Sequence, residues 1–427
     1  MTSVPPECRV DGPMASADAM WLWFSARFPT DQALVFAFRG VPASVPEAVA
    51  ATLTRAREIP YLAVRIREDP AGWRHPTWVP AAVAPEQAVV HELPTSTWDA
   101  CLDAVSAVLR QQLDPRVRAW RLHVFTPVHG VPGTSGAATV VVLQIDHTLG
   151  GGGRTAALAG ALFGRPALPD PIQRATWVRP LRSVTAKARA KRTLAADTAA
   201  GRLPAVKAPV RSLSVNATPS GTRVLRTLTC DRDRLSGPTV TVGAMTAISD
   251  AMTGYLTARG EDPAQLTAAV PVAKRGVAKS YNHFDQTWIG FHPDAPTRDE
   301  QIRRITDDFA AWHRRTQHPS YDIASAPSEA IPAAVRRLAI KLARIDGGRE
   351  LVPAHTTVSS VDRGPADLSF GGCSVAFTTG FPALVPISSL SHGVHVIGRT
   401  VAIGVHASAP QVDVDDYLDR LDAALTR

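Results

Sequence analysis

Asp146-His147-Thr148-Leu149-Gly150-Gly151-Gly152-Gly153 places one histidine where an apolar run ends and a glycine turn opens. Upstream, Thr139 to Ile145 is almost unbroken β-branched and aliphatic sequence, which predicts a strand covered on both faces. Downstream, Thr155 to Phe163 is rich in alanine and leucine and predicts a helix. His147 therefore stands at a strand-to-helix junction, where α/β proteins tend to place functional side chains. A neutral imidazole there can accept and return a proton near physiological pH. The plain alternative is a histidine of the core or of the turn.

The pattern around this stretch predicts an α/β protein in two parts. Ser44 to Glu47 and Ser96 to Asp99 read as helix starts, each with an oxygen acceptor followed three residues later by an acid. The second of these helices carries Trp98, Cys101, Leu102, Val105, Val108, Leu109 and Leu113 on one face, so it should cover a sheet. From Arg165 to Pro219 the alternation gives way to proline, alanine and basic residues, the composition of a crossover segment. The strand and helix pattern then resumes. Val242, Met245, Ile248, Met252 and Tyr255 recur at helical spacing, and a further helix begins at Thr297 to Glu300. Val401, Ile403 and Val405 alternate as a strand, and Asp413 to Leu425 reads as a final helix. The reading gives a first unit over 1–165, a linker over 166–219 and a second unit over 220–427.

Composition narrows the function classes. At 427 residues, with 45% apolar and 20% charged residues, the chain is long enough for two cores and too apolar to be disordered. No apolar run reaches the roughly 18–20 residues that span a bilayer, and Met1 to Pro13 lacks a signal-peptide pattern; a cytoplasmic protein with at most peripheral membrane contact is expected. Cys8, Cys101, Cys230 and Cys373 are far apart and outside any zinc spacing, so reduced thiols and no metal are expected. The net charge of +8 owes much to Arg179, Arg182, Lys187, Arg189, Lys191 and Arg192. That run lacks interleaved aromatics and reads as the solvated face of a linker helix, so no nucleic-acid partner is expected. Attraction of an anionic partner or membrane surface is its functional alternative.

Several segments, in order along the chain, resemble one family. The histidine stretch is similar to the H-H-x-x-x-D-G motif of the coenzyme A-dependent acyltransferase superfamily, which includes wax ester synthase/diacylglycerol acyltransferases and peptide-synthetase condensation domains. His147 matches the second histidine and Gly152 the final glycine, while Asp146 replaces the first histidine and Gly151 the aspartate. Ser16 to Met20 resembles an S-P-x-D-A-M opening, and Leu113 to Trp120 an L-D-x-x-x-P-L-W segment. Tyr255 to Glu261 with Ala269 to Arg275 resembles a helix end and a V-P-V-S-x-R strand, and Val358 to Pro365 a V-S-N-V-P-G-P segment. Thr241-Val242 stands where the family has an asparagine-aspartate pair, and Ser360 where it has asparagine.

The resemblance implies two similar subdomains in a V-shaped pseudo-dimer with a tunnel along their interface. It implies an acyl group delivered as a thioester on coenzyme A or a carrier protein to a hydroxyl or amine, in lipid or specialised-metabolite biosynthesis. His147 would be the general base, with no bound cofactor. Asp146, the replacement carboxylate nearest in sequence, is assigned to catalysis with His147, hydrogen-bonding its imidazole or facing a different substrate, and Gly150, Gly151, Gly152 and Gly153 form the motif loop. Asp18, Trp120, Arg275, Ser359 and Ser360 are assigned to tunnel or support, with Arg275 as the cation left by the missing aspartate. A repurposed acid-base reaction such as cyclisation or elimination, or a noncatalytic binding role, remains open at this point.

Overall fold

A computed structural model of the protein describes residues 10–173, 180–327, 329–343 and 348–426. Cys8 and Arg179 lie outside the described residues. Two mixed six-stranded sheets organise the chain. The first runs, in spatial order, Ser369–Phe370, Cys373–Gly380, Gln32–Arg39, Ala138–Ile145, Trp120–Val128 and Ala88–His91. The second runs Phe284–Gly290, Thr267–Ala273, Thr356–Asp362, Leu390–Ile397, Thr400–Ser408 and Arg223–Asp231.

Strand periodicity decides what each sheet buries. In Gln32–Arg39 the residues Leu34, Phe36 and Phe38 join one apolar cluster, while Ala33, Val35 and Ala37 join another on the opposite face. The helices Val45–Glu58 and Gly153–Leu162 cover the first face, and Trp98–Leu109 covers the second. The histidine strand, read as Thr139 to Ile145, spans Ala138–Ile145 and is buried throughout. On the second sheet lie Val240–Thr257 and Val414–Leu425, joined by an edge-to-face contact of Tyr255 and Tyr417 with centroids 5.6 Å apart.

Capping chemistry sets the helix starts. Ser44 accepts from the Glu47 N–H, Thr297 from the Glu300 N–H and Asp413 from the Asp416 N–H. At the second predicted start the cap is Thr97, accepting from the Ala100 N–H, one residue beyond Ser96. Within the linker, Pro180–Ala199 is a helix, and Arg182, Arg189, Lys191 and Arg192 are exposed on it. Cys101 and Cys230 are buried free thiols and Cys373 a half-buried one; burial raises the Cys101 thiol to about 12, far from a thiolate.

The chain order of the halves is not the order of the sheets. Cys373–Gly380 belongs to the second half by sequence, yet it pairs antiparallel with Gln32–Arg39. The register aligns Thr378 with Phe36 and Gly380 with Leu34, so two strands from beyond residue 220, this one and Ser369–Phe370, complete the first sheet.

Candidate active site

Ala138–Ile145 ends at Asp146, and the chain turns into a short 3-10 segment, His147–Leu149. His147 is half-buried, and its ring meets residues from both halves of the chain. From the opening helix Ser16–Ser25, the Trp21 indole stacks on the imidazole with centroids 3.6 Å apart and planes 8° from parallel. From the second half, Asn282 Oδ1 lies 2.9 Å from His147 Nδ1, and the Phe284 ring centroid lies 6.1 Å away.

The hydrogen bonds of Asn282 fix the proton on the imidazole. Its Nδ2 donates to the His147 carbonyl at 2.8 Å and to Asp18 Oδ1 at 3.0 Å. An amide nitrogen facing two acceptors leaves the amide oxygen facing Nδ1, which must then be the protonated ring nitrogen. Nε2 keeps its lone pair and is the basic atom. Burial, the largest cause, lowers the His147 pKa to about 4, so the ring is neutral at physiological pH.

Asp18 holds Asn282 in turn. It accepts from the Tyr281 N–H at 2.9 Å and the Asn282 N–H at 2.8 Å besides the side-chain bond. Burial raises the Asp18 carboxyl to about 6 against these hydrogen bonds, with the charge of Arg154 also opposing the rise. Arg154 lies with its guanidinium 3.9 Å from the Tyr281 ring centroid and 4.4 Å from that of Tyr61.

The motif loop is shaped by space. Gly150 has φ +117, and a Cβ there would lie 2.8 Å from the Tyr281 carbonyl oxygen, so only glycine fits. A Cβ on Gly151 would come within 3.1 Å of His147 Cε1. The glycine in place of the family's aspartate therefore leaves room for the imidazole in this orientation. Gly152 precedes the helix Gly153–Leu162, and Gly153 opens it.

Two expectations are corrected. The Asp146 carboxylate turns from the imidazole to cap the turn that His147 begins, accepting from the Thr148 N–H at 2.8 Å and from the Thr148 hydroxyl. Burial raises it to about 6. Arg275 is exposed past the end of Thr267–Ala273 and forms no ion pair with Asp146 among the described residues; Arg154 is the cation beside the site. Trp120 is buried in the core, donating from Nε1 to the Leu62 carbonyl at 2.8 Å, so its place is support. Ser359 and Ser360 are half-buried in Thr356–Asp362, and Thr241 Oγ1 donates to Ser360 Oγ at 2.8 Å. Two positions that depart from the family pattern thus contact each other.

The sequence reading missed Trp21, Asn282 and Arg154. Trp21 follows the quoted Ser16 to Met20 segment directly, and Arg154 follows the glycines; those adjacencies were the available signal. Asn282 had none. Two clefts, of about 610 and 370 Å³, are lined by other residues, so His147 does not line either of them.

No protein-family profile matches the sequence, and no curated protein matches it. Solved structures do. The wax ester synthase/diacylglycerol acyltransferase from Marinobacter aquaeolei is 17% identical, with a TM-score of 0.63 over 97% of this chain and 98% of that one. A variant of the starter condensation domain of rhizomide synthetase, in complex with C8-CoA and Leu-SNAC, is 14% identical, with a TM-score of 0.59 over 97% of this chain and 93% of that one. The first condensation domain of the CDA synthetase is 14% identical, with a TM-score of 0.58 over 98% and 95% of the two chains. The chain shares the two-subdomain fold of these wax ester synthase and condensation-domain structures.

Proposed function

We propose that the protein transfers an acyl group from a thioester to a hydroxyl or amine acceptor, with His147 Nε2 as the general base. The observation that carries this reading is the relay Asp18–Asn282–His147. It sets the tautomer of a neutral imidazole at the meeting of the two halves. In the reaction, the acceptor gives its proton to Nε2 as its oxygen or nitrogen attacks the thioester carbonyl. The C–S bond then breaks and the leaving thiolate takes the proton back from the imidazolium. No acyl-enzyme is required.

Trp21 supports both stages. Its stacked face disfavours ring rotation, and its π-cloud favours the transient positive charge. The donor in this reading is carried by coenzyme A or a carrier protein, and the product belongs to lipid or specialised-metabolite chemistry. The fold likeness supports acyl transfer as a class.

The test is mass spectrometry of reactions with a panel of acyl thioesters against hydroxyl and amine acceptors. An acylated acceptor and a free thiol are expected with the wild type. His147→Ala is expected to lower turnover by about a hundredfold or more, with circular dichroism checking that the variant is folded. Equal turnover by the variant removes His147 from the mechanism.

A further inference from the structure

The helix Ala333–Leu342 has three unlike sides. One packs inward: Ala333 and Ile340 are buried, and Arg336 reaches to 3.8 Å from Met20 Sδ on the opening helix. A second carries Val335, Leu338 and Leu342, spaced three and four residues apart and 50%, 55% and 71% exposed, so they form one outward apolar stripe. Trp73, 61% exposed, stands at the start of the helix, where its carbonyl accepts from the Ala333 N–H. Outward apolar side chains grouped on one helix face are a feature of interaction sites.

The third side carries Arg337 and Lys341, which line the cleft of about 610 Å³ together with Leu22, Trp23, Leu113 and Pro115. Arg65, Arg67 and Arg74 are exposed on the neighbouring segments. The nearby carboxylates are already engaged. Glu68 lies 3.1 Å from Arg116 and 3.8 Å from Arg337, Asp114 pairs with Arg116 at 2.8 Å, and Asp69 accepts from the Trp73 and Arg74 N–H groups. The surroundings of the stripe are therefore basic overall.

We propose that this face docks on an anionic phospholipid surface, with Trp73, Val335, Leu338 and Leu342 entering the interface and the surrounding cations meeting the headgroups. An apolar stripe flanked by arginine and lysine, with a tryptophan at its end, has the chemistry of an interfacial helix. A two-fold contact through this face would bring two basic surroundings together, which disfavours self-association here. The proposal stands on this surface and does not depend on the acyl-transfer reading. Its bearing on that reading is positional, since the helix packs on the element that carries Asp18 and Trp21.

Co-sedimentation of the full chain tests it, with vesicles of phosphatidylcholine alone and of phosphatidylcholine with about one-third phosphatidylglycerol. The wild type is expected to bind the anionic vesicles, less so as salt rises. Leu338→Glu with Leu342→Glu lowers binding by about tenfold or more. Arg337→Ala with Lys341→Ala lowers it about fivefold per charge. Val277→Glu, at an exposed apolar residue elsewhere, leaves it unchanged. Circular dichroism confirms the fold of each variant. Absence of wild-type binding to anionic vesicles overturns the proposal, as does undiminished binding by either double variant. So does a wild-type dimer that Leu338→Glu with Leu342→Glu converts to monomer, because the face would then belong to a second copy.

Discussion

Asn282→Ala probes the relay directly. The substitution removes the acceptor 2.9 Å from His147 Nδ1 and the donor to the His147 carbonyl, while Asp18 keeps its two backbone donors. The loss to the folded state is about 1–3 kcal/mol, the range for leaving a buried polar group without its partner. The reaction feels chiefly the bond to Nδ1, which strengthens as the ring gains charge. A hydrogen bond to a charged group is worth about 1.5–3 kcal/mol, so kcat is expected to fall about tenfold to a hundredfold. A purely structural role would lower the melting temperature without touching the tautomer. Nitrogen-15 NMR of histidine-labelled protein separates the two. The wild type is expected to show His147 protonated on Nδ1 and bare on Nε2, and Asn282→Ala to lose that bias. A wild-type imidazole carrying its proton on Nε2 would refute the reasoning, and so would an Asn282→Ala enzyme with unchanged kcat.

The remaining predictions concern the loop and the acids behind it. Gly151→Asp, which restores the family residue, is expected to reduce turnover about tenfold or more, since its Cβ would press on His147 Cε1 at 3.1 Å and overpacking costs about 1–3 kcal/mol; raised turnover in a thioester assay would sink this. Asp146→Asn keeps the capping acceptor and is expected to retain turnover within about twofold, whereas Asp146→Ala loses about 0.5–2 kcal/mol of stability in denaturant titration. Burial, and then the charge of Asp146, raises the Asp31 carboxyl to about 7. A carboxyl raised on folding contributes stability below its unfolded pKa and loses it as pH climbs through the folded value. Wild-type stability from this group therefore declines between about pH 4 and 8, and Asp31→Asn is expected to gain more in melting temperature at pH 8 than at pH 5. An equal change at both values, by calorimetry, contradicts the assignment.

What the sequence disclosed depended on how local each interaction is. The histidine strand, the following helix and the caps at Ser44, Thr297 and Asp413 are written in neighbouring residues, and they stand in the structure within a few positions of the reading. His147 was legible because a strand end and a glycine turn flank it. Its partner Asn282 lies 135 residues away along the chain, and no spacing or periodicity encodes a contact that only the closed fold creates. Arg154 was missed for the same reason: its place beside Asp18 comes from the packing of the helix Gly153–Leu162 against the Tyr281 segment, while Arg275 falls past its strand's end. Asp146 shows a different limit. Adjacency in sequence suggested adjacency to the imidazole, but successive residues at a strand end point apart, and the carboxylate serves the turn.

The placement of Cys373–Gly380 bears on how the molecule comes into being during synthesis. Until that segment has emerged, Gln32–Arg39 has only one neighbour, and its Leu34-Val35-Phe36-Ala37-Phe38 run presents a bare edge. An unpaired, strongly apolar edge is a template for pairing with other chains. The nascent protein must carry this hazard while more than three hundred further residues are translated, and the pairing that ends it closes a long loop, which slows the search for the native arrangement. The ribosome-bound first half is thus a natural client for chaperones.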